Sequence, residues 1–123
     1  MRYVDGFVIP LARKNLAAYR RMADIGRKLW MKHGALDYVE SVGDDLNPKM
    51  DGMKFLKFPQ MVKTKPGETV IFSFIVFKSR AHRDSVNAKV MKEFMNDSKD
   101  KDKQMPFEMK RMAYGGFKVL VGA

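Results

Sequence analysis

The sequence predicts an α+β domain in which strands and helices follow the order β-α-β-β-α-β. Four runs rich in β-branched and aromatic residues are typical of strands, at 3–9, 35–43, 69–77 and 111–122. Two longer stretches, 13–33 and 80–95, carry apolar residues at helical spacing. This order is the ferredoxin-like arrangement, a four-stranded antiparallel sheet with two helices on one face. A length of 123 residues suits a single domain over 1–123.

The first strand and the first helix occupy the N-terminal third of the chain. YVDGFVI, at 3–9, predicts a strand that Pro10 is expected to interrupt. The helix is predicted over 13–33, and Gly34 lies where its C-cap is expected. Its apolar residues recur at three- and four-residue steps: Ala12, Leu16, Tyr19, Ala23, Gly26 and Trp30.

The second strand, ALDYVESVG at 35–43, is followed by a connector over 54–66 that is predicted to be irregular or partly helical. A turn is expected at PGE, 66–68, before the third strand, TVIFSFIVF at 69–77. Ser79 suits the N-cap of the second helix. The predicted apolar stripe of that helix contains Val86, Val90, Met91 and Phe94, with Asn87 among them.

The C-terminal part contains a charged run and the last strand. NDSKDKDKQ, at 96–104, predicts a solvated loop. RMAYGGFKVLVG, at 111–122, predicts a strand that contains two glycines. Glycine inside a strand usually marks a bulge or the close approach of another group to the backbone. We therefore expect a ligand, a partner chain or another surface to lie against Gly115 or Gly116.

The third strand is apolar on both of its faces. Its alternate residues are Val70, Phe72, Phe74 and Val76 on one side, and Ile71, Ser73, Ile75 and Phe77 on the other. Two helices cover only one face of the sheet, so the other face needs a different cover. A second copy packed sheet against sheet about a two-fold axis meets this need and predicts a homodimer. A cavity for a small-molecule ligand is expected between the sheets, or between sheet and helices.

Five stretches of the sequence resemble the YbaA-like family, a group of uncharacterised proteins. They are YVDGF at 3–7, HGAL at 33–36, VGDD at 42–45, ETVIFSFI at 68–75 and MPF-x₂-KRMAYGGF at 105–117. The resemblance implies membership of the dimeric α/β-barrel superfamily, and therefore a ferredoxin-like fold and a homodimer. That superfamily includes cofactor-free monooxygenases, haem-degrading enzymes, small-molecule dehydratases and ligand-sensing modules. The resemblance therefore implies a fold but does not select a function.

Composition excludes several kinds of chemistry. The chain has no cysteine, which removes disulfides, thiolate catalysis and zinc–thiolate sites. No apolar run approaches the length of about 18 residues that suggests a membrane span. The N-terminal MRYVDGF lacks the apolar core of a signal peptide, so we expect a cytoplasmic protein with no membrane partner.

The net charge of +10 raises the question of a polyanionic partner. Helix 1 carries basic pairs every seven residues, opposite its apolar stripe: Arg13/Lys14, Arg20/Arg21 and Arg27/Lys28. Such a basic ridge is typical of a solvated outer face, and binding of RNA or another polyanion is the alternative. No nucleic-acid recognition motif is present, so a nucleic-acid partner is not expected.

An acidic and amide cluster follows the second strand, with Asp44, Asp45, Asn47 and Asp51 within eight positions. A calcium loop of the EF-hand type needs oxygen ligands at alternate positions and a glycine at the sixth. Lys49 and Met50 stand at those positions here, and Pro48 also opposes the loop. The cluster therefore predicts a turn, with no metal site.

His33 and His82 are the only two histidines. Neither lies at the spacing of a two-histidine metal site or of a catalytic triad. Either could in principle be the axial ligand of a haem. The sequence predicts no cofactor.

Polar residues on faces that should be buried define a candidate pocket. Asp5 and Glu40 share strand faces with apolar residues, and both need a partner such as Arg111 or a ligand. Structural pairing or simple edge exposure is the alternative interpretation. The full set of candidate pocket residues is Asp5, Glu40, Asn87, Arg111, Tyr114, Gly115 and Gly116. Trp30, Tyr19 and Tyr114 could line the pocket or belong to the core.

Three functions are compatible with these observations. The first is a small cofactor-independent enzyme that acts on an apolar small molecule in a cavity of the α/β barrel. The second is a ligand-binding or interaction module without catalysis. The third is the binding of a polyanion such as RNA through the basic face of helix 1. A polar constellation inside a cavity favours the first function, a filled cavity the second, and steep salt dependence of binding the third.

Overall fold

A computed structural model gives the structure of the protein and describes residues 1–96 and 105–123. These residues form four strands, three α-helices and two short 3-10 turns. The strands are β1 (Tyr3–Ala12), β2 (Asp37–Val42), β3 (Glu68–Phe77) and β4 (Ala113–Lys118). The α-helices are α1 (Leu16–Lys32), α2 (Phe58–Met61) and α3 (Arg80–Asn96). The 3-10 turns are Arg13–Asn15 and Met109–Arg111.

All four strands belong to one antiparallel sheet with the order β2-β3-β1-β4. The predicted α+β class and the predicted four-stranded antiparallel sheet are therefore confirmed. β1 and β3 lie in the centre and pair along their whole lengths, from Tyr3 opposite Phe77 to Ala12 opposite Glu68. β2 and β4 are the two edges.

Strand β1 continues through Pro10, so the prediction that proline interrupts it is wrong. Pro10 pairs with Val70 of β3, and the strand runs on to Ala12. β4 pairs with β1 only from Tyr3 to Val8. Beyond Val8, β3 is the one strand that pairs with β1 among the described residues, and proline is tolerated at such an edge. β4 is also shorter than predicted at both ends, since residues 109–111 form a 3-10 turn before it and the strand ends at Lys118.

Helices α1 and α3 pack on the same face of the sheet, which we call the helix-facing side. One core cluster joins Ile75 and Phe77 of the sheet to Val86 and Val90 of α3. A second joins Ile9, Leu11 and Ile71 of the sheet to Tyr19 and Ala23 of α1. α1 ends as predicted beside Gly34, whose φ of +109° is the left-handed conformation that glycine adopts readily.

The buried stripe of α3 differs from the predicted one. Val86 and Val90 are 1% exposed, but Met91 and Phe94 are exposed. Arg83 and Asn87 complete the inward face instead, because positions 83, 86, 87 and 90 follow the i, i+3, i+4, i+7 spacing of one helix face. Ser79 caps the helix as predicted, since its Oγ accepts a hydrogen bond from the His82 backbone N–H at 3.0 Å.

The opposite, outer face of the sheet is apolar and only partly covered. Val70 is buried, while Phe72 and Phe117 are 46% and 61% exposed. The connector between β2 and β3 covers part of this face, since the ring of Phe58 in α2 lies 6.0 Å from the ring of Phe72. The exposed phenylalanines leave an apolar surface on the side away from the helices.

The connector is partly helical, as predicted, and its acidic segment forms a turn. The Met53 N–H donates to the Met50 carbonyl at 2.7 Å, and Asp51 and Gly52 between them have φ values of +40° and +79°. Asp44 and Asp45 are exposed. The loop predicted over 96–104 lies, apart from Asn96, outside the described residues. No helix within the described ranges is long and apolar enough to cross a lipid bilayer.

Candidate functional site

Two polar clusters lie on the helix-facing side of the sheet, one near each edge. The Asp5 cluster comprises Asp5, Arg83, Asn87, Tyr114 and Tyr3, from β1, β4 and α3. The Glu40 groove is the opening between α1 and β2, with Glu40, Tyr19 and Tyr38 in its lining.

Asp5 is 1% exposed in the centre of its cluster. Its Oδ1 accepts a hydrogen bond from Arg83 Nη1 at 2.8 Å, which is also an ion pair. Its Oδ2 accepts from the Tyr114 hydroxyl at 3.1 Å and lies 3.5 Å from Asn87 Nδ2. The carboxylate therefore has donors on both oxygens and a counter-ion, as a buried charge requires.

The sheet register and the helix spacing bring these groups together. Asp5 lies opposite Gly116 of β4, and Phe7, two residues along β1, lies opposite Tyr114. The rings of Phe7 and Tyr114 stack with centroids 4.8 Å apart. Arg83 and Asn87 are four residues apart on α3, so they project from the same side of the helix.

Gly116 contributes to the Asp5 cluster by having no side chain. A Cβ at this position would lie 2.7 Å from Cε1 and 2.8 Å from Cζ of Tyr3. On the Tyr3 ring lies the Arg83 guanidinium, with its Cζ 4.9 Å from the ring centroid. The surface that approaches Gly116 is thus the chain's own Tyr3. Among the residues that the structure describes, a Cβ at Gly115 would meet Phe117 alone, at an ordinary 3.6 Å.

Burial and charge shape the protonation of the Asp5 cluster. Burial and the neighbouring Asp5 carboxylate raise the pKa of Tyr114, although Arg83 opposes the change. Burial acts to lower the pKa of Arg83, but Asp5 and its other neighbours outweigh it, so the pKa is raised. Arg83 therefore stays cationic and Tyr114 stays a neutral donor. With all these donors engaged, Asp5 has little capacity left for a ligand.

Glu40 has a different environment, because β2 is an edge strand. Its Oε1 accepts a hydrogen bond from the Tyr19 hydroxyl at 2.7 Å, and its Oε2 accepts one from the Tyr38 hydroxyl at 2.8 Å. Both partners are phenols and neither carries a positive charge. The carboxylate is partly exposed and lines an open groove of about 1300 Å³.

The walls of the Glu40 groove are largely apolar. Leu16, Ala17 and Ala23 come from α1, whereas Val42 and Ile71 come from the sheet. Gly26 lets α1 approach the strand, since a Cβ there would lie 2.9 Å from the Tyr38 hydroxyl. The result is a largely apolar trough that has the Glu40 carboxylate in its lining, with Asp24 of α1 as a second acidic lining residue.

Both tyrosines of the Glu40 groove are strong candidates for neutral hydrogen-bond donors. Burial raises the pKa of Tyr19 far above its ordinary value, and the hydrogen bond to Glu40 adds to the effect. Burial and the charge of Glu40 raise the pKa of Tyr38 in the same way. A carboxylate acceptor beside two phenol donors can accept a proton from a ligand and stabilise negative charge that develops on it.

Trp30 connects the two clusters. Its Nε1 donates to Asn87 Oδ1 at 3.0 Å, and its ring centroid lies 6.1 Å from that of Tyr38. Trp30 is the single tryptophan of the chain, so its fluorescence can report on both clusters.

The structure brings together only part of the predicted pocket. Asp5, Asn87, Tyr114 and Gly116 meet in the Asp5 cluster, and Glu40 lies apart in the groove. Gly115 pairs with Gly6 at a position that belongs to the outer face. Sequence reasoning missed Arg83, although its spacing to Val86, Asn87 and Val90 placed it on the inward face of α3.

The predicted pairing of Arg111 with Asp5 or Glu40 is wrong. Arg111 forms a two-pronged ion pair with Glu68, with Nη1 to Oε2 and Nη2 to Oε1 both at 2.7 Å. Its Nη2 also donates to the Lys63 carbonyl at 3.2 Å. Arg111 lies in the 3-10 turn before β4, where its neighbours are Glu68, the first residue of β3, and Lys63 of the connector. This pair holds the pKa of Glu68 at about 2, through the hydrogen bonds of Arg111.

The histidines lie outside both clusters. His33 Nε2 is 2.7 Å from Glu93 Oε2, near the end of α1. His82 Nδ1 accepts a hydrogen bond from the Lys78 backbone N–H at 3.0 Å. Within the part of the chain that the structure describes, no three histidine or acidic side chains come together as a metal site.

The sheet, its two packed helices and the carboxylate–tyrosine groove define a small α+β protein with a candidate ligand site. The chain belongs to the family described as "Protein of unknown function (DUF1428)", which it matches over residues 2–109. It is similar to "Uncharacterized protein YbaA" of Escherichia coli (strain K12) and of Shigella flexneri. Each is 39% identical over 121 residues, which cover 98% of this chain and 98% of the relative. The resemblance that the sequence motifs suggested is thereby confirmed.

Proposed function

We propose that the protein is a cofactor-independent enzyme that takes an apolar small molecule into the Glu40 groove and uses Glu40 as a general base. The observation that carries this proposal is a carboxylate, bonded to two tyrosine hydroxyls, in an open apolar groove of about 1300 Å³. Apolar walls with a few convergent polar groups are typical of small-molecule sites. We expect the protein to act in the cytoplasm.

Proton abstraction beside a carbonyl group is the reaction that fits these three residues. Glu40 takes the proton from the carbon, and the electron pair of the broken C–H bond moves into the carbonyl to form an enolate. Once protonated, Glu40 is a weaker acceptor, which frees the Tyr19 and Tyr38 hydroxyls to donate to the enolate oxygen. Their raised pKa keeps these hydroxyls protonated for that role.

Ligand binding without catalysis is the second candidate, and one observation favours it. Both phenol hydroxyls already donate to Glu40, so neither is directed towards a ligand in this arrangement. A protein that only binds needs no more than the Glu40 carboxylate as an acceptor for a ligand hydroxyl.

The proposed assembly is a homodimer with the ferredoxin-like arrangement of the dimeric α/β-barrel superfamily. The strand order β2-β3-β1-β4 and the packing of α1 and α3 on one face support that arrangement. The outer face supports the dimer, because Phe72, Phe117 and Phe58 leave apolar surface on it. A second copy is the occupant proposed for this face.

Replacement of Phe72 by lysine tests the dimer. Phe72 is 46% exposed on the outer face, and Phe94, 45% exposed on α3, is a control of equal exposure. We expect sedimentation to give a dimer for the wild type and for Phe94→Lys, and a monomer for Phe72→Lys. A wild-type protein that sediments as a monomer at micromolar concentration would refute the dimer.

Titration with 2-naphthol, a neutral aromatic alcohol, tests the groove. We expect calorimetry to show binding and the Trp30 fluorescence to change, because Trp30 lies against Tyr38 of the groove. Glu40→Gln should weaken binding, since it removes the charged acceptor for the naphthol hydroxyl. Asp45→Asn, at an exposed position outside the groove lining, is the matched control and should bind normally.

Hydrogen–deuterium exchange into 2-tetralone separates the two candidate functions. A general base in the groove should accelerate exchange at the carbons beside the carbonyl, as followed by NMR in deuterated water. Acceleration that is lost in Glu40→Gln supports the enzyme. Binding of 2-naphthol without any acceleration by the wild type favours the binding module. If neither 2-naphthol nor 2-tetralone binds to the protein, both candidate functions are refuted.

A further inference from the structure

The basic ridge of α1 and the Glu40 groove meet along one side of the helix. Three arginines of the ridge, Arg20, Arg21 and Arg27, line the groove together with Glu40. Arg20 and Arg27 are seven residues apart, which corresponds to about 10 Å along the helix axis. The ridge is therefore also the cationic rim of an apolar trough.

The charges along this rim are unequally paired. Asp24 bonds to Arg27 at 2.9 Å and to Lys28 at 3.4 Å. Among the residues that the structure describes, no carboxylate lies within ion-pair distance of Arg20 or Arg21. These two neighbouring guanidinium groups are thus available for an anion at the edge of the groove.

We propose that the groove takes an anionic amphiphile, with a carboxylate on Arg20 and Arg21, an apolar ring system in the trough and a hydroxyl on Glu40. The inference rests on the proposed function and refines its ligand: a carboxylate is added to the apolar body, and the hydroxyl occupies the place of the group that gives its proton to Glu40. Guanidinium groups suit carboxylates, since their planar N–H groups match two carboxylate oxygens. The ligand's hydroxyl donates to Glu40, which repels a second anionic group at that end.

The apolar walls distinguish this ligand from a polyanion. A nucleic acid offers phosphates along its whole length, and a basic ridge alone would suit it. Here the same arginines line the groove together with Leu16, Ala17 and Val42. These apolar side chains favour a ligand with an apolar body beside its charge. A small amphiphile satisfies both features in one molecule.

Three naphthalene probes dissect the proposal by calorimetry. 2-Naphthol carries the hydroxyl alone, 6-hydroxy-2-naphthoate adds the carboxylate, and 6-methoxy-2-naphthoate keeps the carboxylate but loses the donor. We expect 6-hydroxy-2-naphthoate to bind about tenfold tighter than 2-naphthol, a ratio that falls at high salt. In the wild type, 6-hydroxy-2-naphthoate should also bind tighter than 6-methoxy-2-naphthoate. In Glu40→Gln, the hydroxy acid should have no such advantage.

Two double variants with the same loss of charge test whether Arg20 and Arg21 bind the carboxylate. Arg20→Gln/Arg21→Gln should remove the advantage of the acid over 2-naphthol. Arg13→Gln/Lys14→Gln lowers the charge of the same ridge by the same amount outside the groove lining. This control should keep the full advantage of the acid.

Each remaining outcome counts against the proposal. Equal affinity of the acid and 2-naphthol overturns the anionic ligand but leaves the groove as a binding site. An equal loss in both double variants reduces the effect to overall charge and also overturns it. A salt-sensitive loss of RNA binding in Arg20→Gln/Arg21→Gln, with acid binding unchanged, assigns the ridge to a polyanion instead. If no probe binds the wild type, the proposed function itself fails.

Discussion

The Asp5 cluster and the Glu40 groove are built from similar parts in different places of the sheet. In each, a carboxylate on a strand faces the helices and accepts hydrogen bonds from tyrosine hydroxyls. Asp5 lies on β1, which has a strand on either side, and is 1% exposed. Glu40 lies on β2, at the edge of the sheet, and opens into a groove.

Position in the sheet decides what each carboxylate requires. In the interior, a charge must be matched by a counter-ion and by donors on both oxygens, and Arg83, Asn87 and Tyr114 supply them. At the edge of the sheet, solvent can hydrate the charge, so the Glu40 carboxylate does not require a cationic partner. An interior carboxylate whose two oxygens already accept hydrogen bonds stabilises the fold. An edge carboxylate that is partly exposed can still accept a hydrogen bond from a ligand.

Loss of Arg83 should have the largest effect on stability. Arg83→Met leaves the Asp5 carboxylate buried without its counter-ion, and breaking a buried pair in this way costs about 3–5 kcal/mol. We expect the melting temperature to fall by more than about 10 °C in thermal unfolding. Arg80→Met, on the exposed side of the same helix, is the control and should change it little. An equal melting temperature for both variants would show that the Asp5 cluster is not structural.

A side chain at Gly116 should disturb the Asp5 cluster through Tyr3. Gly116→Val overpacks the Tyr3 ring and should cost about 1–3 kcal/mol, despite the better strand propensity of valine. Gly115→Val meets only Phe117, at an ordinary contact distance, and should melt close to the wild type.

The Tyr3→Leu background distinguishes the cause of that loss. If the Tyr3 ring is the obstacle, Gly116→Val should cost less in Tyr3→Leu than in the wild type. Equal losses in the two backgrounds would place the strain elsewhere in β4. Equal melting temperatures for Gly115→Val, Gly116→Val and the wild type would make both glycines incidental.

Glu40→Gln should separate binding from stability. One amide oxygen replaces two carboxylate oxygens, so one tyrosine loses its acceptor, at a cost of about 1 kcal/mol. Binding of 2-naphthol should weaken far more than this small change in the melting temperature suggests. A destabilisation as large as that of Arg83→Met would mean that both carboxylates are structural and would remove the contrast between the two regions.

Glu68 provides a test that depends on pH, because its carboxylate forms an ion pair with Arg111 at the start of β3. Its pKa in the folded protein is about 2, below its ordinary 4.5, because Arg111 donates to both oxygens. A depressed pKa contributes stability that is present above pH 4.5 and is lost as the pH falls towards 2.

Comparison with Arg111→Gln isolates this contribution from the other acidic residues. The variant should melt below the wild type at pH 6, and the difference between them should shrink as the pH falls from 4.5 to 2. A difference that stays constant over this range would show that the ion pair does not stabilise the fold.

Local patterns in the sequence were sufficient for most of the secondary structure. The two-residue alternation of TVIFSFIVF and the three- and four-residue steps around Tyr19 and Ala23 each occur within one element. Such periodicity reflects which side of an element is buried. It can be recognised in the sequence because all of its residues belong to the same element. Pro10 misled the prediction because proline's effect depends on whether a neighbouring strand is present, which is a property of the sheet.

Pairings between distant residues could not be predicted in the same way. The sequence indicated that Asp5 and Glu40 need partners, since a charge on an apolar face is costly. It did not indicate which partners, because Arg83 is 78 residues from Asp5 and Tyr19 is 21 from Glu40. For Arg111, the sequence offered two carboxylates of suitable charge, but the chain before β4 runs beside the start of β3, where Glu68 lies.

The sequence by itself determined the α+β class and the strand that is apolar on both faces. It also excluded cysteine chemistry and showed that two carboxylates on strands need partners. Only the tertiary structure decided that β1 is central and β2 an edge. That strand order buries Asp5 beside Arg83 and leaves Glu40 in an open groove bordered by arginines. The physical reason is that burial and ion pairing depend on neighbours in space, and the order of strands in a sheet sets those neighbours.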